Sequence, residues 1–235
     1  MKLIKFSAIT LFTLFLGVAS IAQTVEEIVN KNIEAIGGAE AWRKVTSLRT
    51  EGTMTVQGAE VSIVITVLHG KGMRQDISVM GMTGFTIVTP SAGWNFMPFQ
   101  GQTSVDAMTA DELKEGQDDI DAQGILIDYA AKGTTVELIG KEDVEGTECF
   151  KIKATTKFGT VETMFIDPKS YLVVRTISKQ KANGQEAEIT TDLANYQKTP
   201  EGILVPMSIT LPFGEAVISK VEVNKEVDEK IFSPK

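Results

Sequence analysis

The chain is expected to be mainly β (α+β): an antiparallel meander of about 11–12 short strands, with helix only at its start and middle. Three observations predict this. From Thr46 onward apolar and polar residues alternate at period two, the mark of a strand with one covered face. Turn residues punctuate those runs at short intervals. Apolar residues at helical spacing occur near the beginning and again between residues 109 and 131.

The elements follow in order. Lys2 and Lys5 precede an apolar run from Phe6 to Ile21, and Ser20-Ile21-Ala22 presents small residues to a signal peptidase. Residues 1–22 are therefore expected to be a cleaved export signal, leaving 23–235 as a single domain. No cysteine follows the run to carry a lipid. Thr24 and Glu27 form a capping box, in which each side chain satisfies a free backbone N–H of the helix start. Val25, Ile28, Val29, Ile33 and Ile36 then make one apolar stripe, ended by Gly37-Gly38. Ala39 to Lys44 adds a turn that lays Trp42 on the sheet.

Leu48, Gly52, Met54 and Val56 share one strand face, and Gln57-Gly58 turns the chain into a return strand carrying Val61, Ile63, Ile65 and Val67. Strands are expected at 73–80, 84–89 and 92–97. Thr109 and Glu112 make a second capping box, and Ile125 to Ala131 is expected as a short apolar helix ended by Gly133. Seven more strands are expected between 135 and 224, joined by turns of which Asn183-Gly184 is the strongest hairpin signal. Val227 to Phe232 closes with one helical turn. Such a meander twists and curls, with one face inward. Two short helical segments are too few to fill an inner face of that size. Either large side chains pack it or a cavity remains.

Composition excludes several functions. The net charge is -8, and loss of residues 1–22 removes two lysines and no acids, leaving about -10. That balance argues against nucleic acid and against a basic membrane patch, and no second apolar run offers a stable membrane insertion. One cysteine, Cys149, permits no internal disulfide, and His69 is the one histidine. Neither a cysteine- or histidine-rich zinc site nor a credible nucleophilic triad can be assembled. Asp119-x-Asp121-x-Gln123-Gly124 begins like a calcium loop, but Ala130 stands where a bidentate glutamate is needed. No cofactor, metal or catalytic residue is expected.

A family likeness is carried by Ile36-Gly-Gly-Ala-Glu-Ala-Trp42-Arg-Lys-Val45-Thr-Ser-Leu48 and Glu51-Gly-Thr-Met54. Gly140-Lys-Glu-Asp-Val-Glu-Gly146, Asp167-Pro-Lys-Ser-Tyr171-Leu172, Gly202-Ile-Leu-Val-Pro206 and the end from Val223 to Phe232 extend it over the mature chain. The chain resembles outer membrane lipoprotein-sorting proteins of the Bacteroidetes type, in the LolA/LolB-like superfamily. The resemblance implies an incomplete antiparallel β-barrel with a helical lid and a hydrophobic cavity for lipoprotein acyl chains or other lipid. It also implies a periplasmic place, an inner-membrane donor complex and an outer-membrane acceptor. The cavity arginine that holds the lid in the best-studied carriers has no counterpart by local motif at Arg43 or Arg49.

The candidate cavity residues are Trp42, Met54, Ile63, Ile65, Met73, Met80, Met82, Phe85, Trp94, Phe96, Met97 and Phe99, because methionine and aromatic side chains adapt to varied apolar chains. Ordinary core packing is the competing reading of each. Val25, Ile28, Val29, Ile33, Ile125 and Leu126 are the candidate lid. A lipid carrier is the leading function; a lipid or lipoprotein sensor of the same fold is the alternative, and a hydrolase the third.

Overall fold

The structure is a computed structural model and describes residues 23–182 and 185–234. The expected export signal and the Asn183-Gly184 turn lie outside the described residues. The chain opens with α1 (Val25–Ala35) and α2 (Ala39–Arg43). The Thr24 hydroxyl accepts from Glu27 N while the Glu27 carboxylate accepts from Thr24 N, so the expected capping box is formed. Gly37 and Gly38 both adopt positive φ. A Cβ on Gly37 would lie 2.5 Å from the Gly202 carbonyl oxygen, so glycine is what lets the joint between the helices approach that turn.

Thirteen strands follow among the described residues: β1 (Ser47–Val56), β2 (Ala59–Leu68), β3 (Gly72–Val79), β4 (Met82–Val88), β5 (Gly93–Phe96), β6 (Asp106–Ala107), β7 (Thr135–Val144), β8 (Thr147–Thr155), β9 (Val161–Ile166), β10 (Val173–Ala182), β11 (Gln185–Lys198), β12 (Leu204–Leu211) and β13 (Gly214–Val223). They form one antiparallel sheet in the order β6-β5-β4-β3-β2-β1-β13-β12-β11-β10-β9-β8-β7. The chain meanders outward from β1 to one edge, and β13 returns to pair with β1. The strand beyond the expected count is β6, two residues that pair with β5.

The sheet curls. Val88 of β4 and Phe150 and Ile152 of β8 stand nine strands apart in the sheet order, yet they belong to one packed cluster. The edges β6 and β7 remain unpaired to each other, so the barrel is incomplete. Between β6 and β7 run α3 (Ala110–Glu115), a 3-10 turn (Gly116–Ile120) and α4 (Tyr129–Lys132).

This segment corrects one expectation. Ile125 to Ala131 is not a helix: residues 125–128 turn, and only Tyr129–Lys132 is helical. Asp128 sits at φ +52 with Gly124 at +81 on the other side, and left-handed residues break a helix. Arg43 donates through Nε and Nη2 to both Asp128 oxygens, at 2.7 and 2.6 Å, tying this turn to α2.

Candidate functional site

Register assigns every strand residue to a face. Leu48, Val67, Met73 and Val88 pair across β1 to β4 and belong to or pack on the main core with Phe150, Ile152 and Ala154, so their side is the inner face. α1 covers one end of it with Ile28 and Val29, both fully buried, and Ile33. Leu126 and Ile127 cover it beside them, and Ile125 packs on the same cluster. The candidate lid residues are thus brought together over one end of the sheet. Trp42 lies in this core as well, its Nε1 donating 3.0 Å to the Ile36 carbonyl.

The other end of the inner face is open. Gly52, Ile63, Ile77 and Gly84 are aligned across β1 to β4, followed by Met54, Val61, Val79 and Met82. Ile218 pairs with Gly52, and Ala216, Ile209 and Leu193 continue the level of Met54 across β13, β12 and β11. Ile63, Ile77, Val79, Leu193, Ile209, Leu211 and Ile218 are partly exposed and belong to none of the packed clusters. Met97 and Phe99 fold back over Gly84, where a Cβ would lie 3.0 Å from the Met97 sulfur and 2.9 Å from the Phe99 ring. They form a flank of the open end, and Met82 is 42% exposed there.

Of the candidates, Met54, Ile63, Ile65, Met73, Met82, Met97 and Phe99 therefore belong to the inner side. Phe85, Trp94 and Phe96 do not. They pair with one another on the outer face, Phe85 opposite Phe96 and Ile87 opposite Trp94. The C-terminal residues Val227, Ile231 and Phe232 cover them, with Phe232 seated against Gly72. Met80 sits at the β3–β4 hairpin tip, 83% exposed at φ +51. Phe213, 56% exposed at the β12–β13 tip, adds a second apolar side chain to the same rim.

Sequence reasoning missed Ile77, Val79, Leu193, Ile209, Leu211 and Ile218, which line the uncovered end of the inner face. Their period-two alternation was the available signal, but it marks two faces without saying which one is left uncovered.

Two clefts of about 340 and 430 Å³ lie elsewhere, one under the C-terminal residues at Arg74 and Phe85, the other beside α2 at Glu40 and Lys44. Arg43 is engaged with Asp128, and Arg49 pairs with Glu51 and Glu222 on the outer face. Neither guanidinium is placed over the open apolar surface.

One acidic side chain lies on the inner face, and others lie in the segment between β6 and β7. Glu162, paired with Ala154 and Ser178, has its carboxyl pushed up by burial, by more than the Thr176 hydrogen bond lowers it. Asp118 accepts from Thr156 Oγ1 at 2.8 Å. Asp119, reached by solvent yet crowded by protein, is pushed up to about 6, first by desolvation and then by Asp118. Because its folded pKa exceeds the ordinary 3.8, the folded state holds the extra proton, and stability falls as pH rises from 3.8 through about 6. Because Asp119 is exposed and water screens much of the effect, Asp119→Asn is expected to raise the melting temperature only slightly at pH 7.5 and to leave it unchanged at pH 3.5; equal shifts at both would place the effect outside this titration. Asp121 is held by Lys132 Nζ at 2.5 Å, and His69 Nδ1 stands 3.2 Å from it out of hydrogen-bond alignment. Cys149 is fully buried on the outer side against Val144 and Phe165.

No family model matches the chain, and no curated protein matches it in sequence. Solved structures do resemble it. A LolA superfamily protein from Nitrosomonas europaea has a TM-score of 0.56 at 12% identity, covering 91% of this chain and 99% of that one. An outer membrane lipoprotein-sorting protein domain from Vibrio parahaemolyticus has a TM-score of 0.53 at 14% identity, covering 88% and 94%. A DUF1329 family protein from Desulfovibrio piger has 0.54 at 13% identity, covering 90% and 98%. At such identities the likeness concerns architecture. An unclosed, thirteen-stranded antiparallel sheet with helices over one end, matched along nearly the full length of these structures, gives the chain a LolA-like fold.

Proposed function

We propose that the protein is an exported carrier that takes lipoprotein acyl chains on the open end of its inner face and hands them on without making or breaking a bond. The observation that carries this reading is the partly exposed apolar surface built by Ile63, Ile77, Val79, Leu211 and Ile218, beside a tightly packed end of the same face. An acyl chain gains about 0.8 kcal/mol for each CH₂ it fully buries. Partial cover keeps that gain small enough for release, which full enclosure of two or three long chains would oppose. The LolA-like architecture supports the same reading, and the acidic net charge of -8 suits a protein that stays off anionic lipid surfaces between transfers.

Native mass spectrometry of protein purified without detergent tests it. The expected spectrum contains lipid or lipopeptide adducts that a competing acyl chain displaces. A single unloaded species that also takes up no lipid from phosphatidylethanolamine vesicles would refute the carrier.

A further inference from the structure

We propose that Tyr171 is a latch, a positioning residue that holds α1 on the sheet and releases it when cargo displaces Phe150, resting on the carrier reading for the cargo alone. Tyr171 lies in the turn between β9 and β10 at φ +57, a left-handed conformation that a bulky L-residue adopts only when its surroundings impose it. The turn is tightly tied. One Asp167 carboxylate oxygen accepts from the backbone of Lys169 at 2.9 Å, the backbone of Ser170 at 2.6 Å and the Ser170 hydroxyl at 2.9 Å. The Tyr171 N–H donates back to the Asp167 carbonyl at 2.9 Å.

From this strained position Tyr171 engages the first helix in three ways. Its carbonyl accepts from Asn32 Nδ2 at 2.7 Å, and Asn32 is 2% exposed among apolar neighbours. Its hydroxyl accepts from Gln23 Nε2 at 3.1 Å and from Lys31 Nζ at 3.2 Å. The Lys31 ammonium also stands 4.8 Å from the ring centroid. Among the described residues, each side-chain hydrogen bond that residues 23–35 make to the sheet and its turns ends on Tyr171. The apolar stripe of α1 supplies adhesion, but adhesion has no single point of release. Tyr171 supplies one.

The other side of the ring connects the latch to the candidate site. Tyr171 stacks on Phe150, with centroids 6.2 Å apart and planes at 19°. Phe150 is 7% exposed on the inner face of β8, in the cluster that α1 covers. A chain advancing along the inner face toward the packed end meets Phe150. Movement of that ring removes the stack that helps hold Tyr171 left-handed, and relaxation of the turn withdraws at once the acceptors of Asn32 and Lys31 in α1 and of Gln23 just before it. A packed element with two discrete arrangements is what such coupling requires.

Hydrogen–deuterium exchange on the mature protein tests the latch. Tyr171→Phe keeps the ring and backbone and removes the hydroxyl contacts; Tyr171→Ala removes the ring as well. In unliganded protein both are expected to speed exchange of the α1 amides, by about tenfold for Tyr171→Phe, with β8 and β9 amides unchanged. Unaltered α1 exchange in both variants overturns the latch. Equal acceleration through β8 and β9 overturns it too, since Tyr171 would then serve general stability. With a dipalmitoyl lipopeptide as probe, wild-type α1 should lose protection on binding, and Phe150→Leu should blunt that loss. Binding with α1 protection intact overturns the coupling. Absence of any binding instead overturns the carrier reading, and the unliganded comparison still decides whether Tyr171 holds the helix.

Discussion

Replacing Ile63 and Ile77 together with glutamate is expected to lower affinity for a fluorescent acyl probe at least about a hundredfold, while the melting temperature moves by only a few degrees. The two residues are direct neighbours across β2 and β3, on the inner face, partly exposed and outside every packed cluster. In the unliganded protein two carboxylates there keep partial contact with water, so folding loses chiefly the modest cost of like charges facing each other across the strands. Bound lipid would have to cover them, and desolvating an unpaired carboxylate costs far more than the isoleucine contact it replaces. The loss of about 1.5–3 kcal/mol of apolar contact at each position already amounts to one to two orders of magnitude in affinity. Trp94→Leu is the control, because Trp94 packs on the outer face with Phe85 and the C-terminal residues. Probe titration and thermal melts on both variants decide the matter. Undiminished binding by the double glutamate variant, or lost binding by Trp94→Leu, would put the lipid site elsewhere.

Ile152→Ala is expected to show the reverse pattern, with a loss of about 2–5 kcal/mol of stability. Ile152 is fully buried on β8, opposite Met164 of β9, in the cluster that joins the two walls of the curled sheet to α1 and the 109–134 segment. Truncation removes the transfer gain of three carbons and leaves a void whose rim, built from paired strands, cannot collapse onto it. For a chain of this size a loss at that level lowers the melting temperature by roughly 5–15 °C. Denaturant titration checks it: the midpoint should fall with an unchanged slope. A loss below about 0.5 kcal/mol would mean that the two walls are not packed through this residue.

The contrast between these variants is also the contrast between what the sequence made legible and what it did not. Strand positions were readable because alternation at period two is local. Both capping boxes, Thr24 with Glu27 and Thr109 with Glu112, were readable because each lies within one turn. The helix expected at 125–131 failed because apolar content does not report backbone conformation. Asp128 is left-handed, and the partner that its carboxylate meets there, Arg43, lies 85 residues away in the chain. The candidate site was half readable. Methionine and phenylalanine content pointed to β3–β5, yet strand register turns Phe85, Trp94 and Phe96 to the outer face, where Phe232 and Ile231 return to cover them.

The sequence by itself determined the class of fold, most of the order of its elements and the charge, since all of these depend on residue type and on neighbours within a few positions. Only the tertiary structure decided which sheet face is inner, which half of it is covered and which turn holds the covering helix. Those depend on where the ends of a thirteen-stranded sheet come to lie after twist accumulates across it, and on which segments from distant parts of the chain are left to cover it. No local pattern encodes that sum.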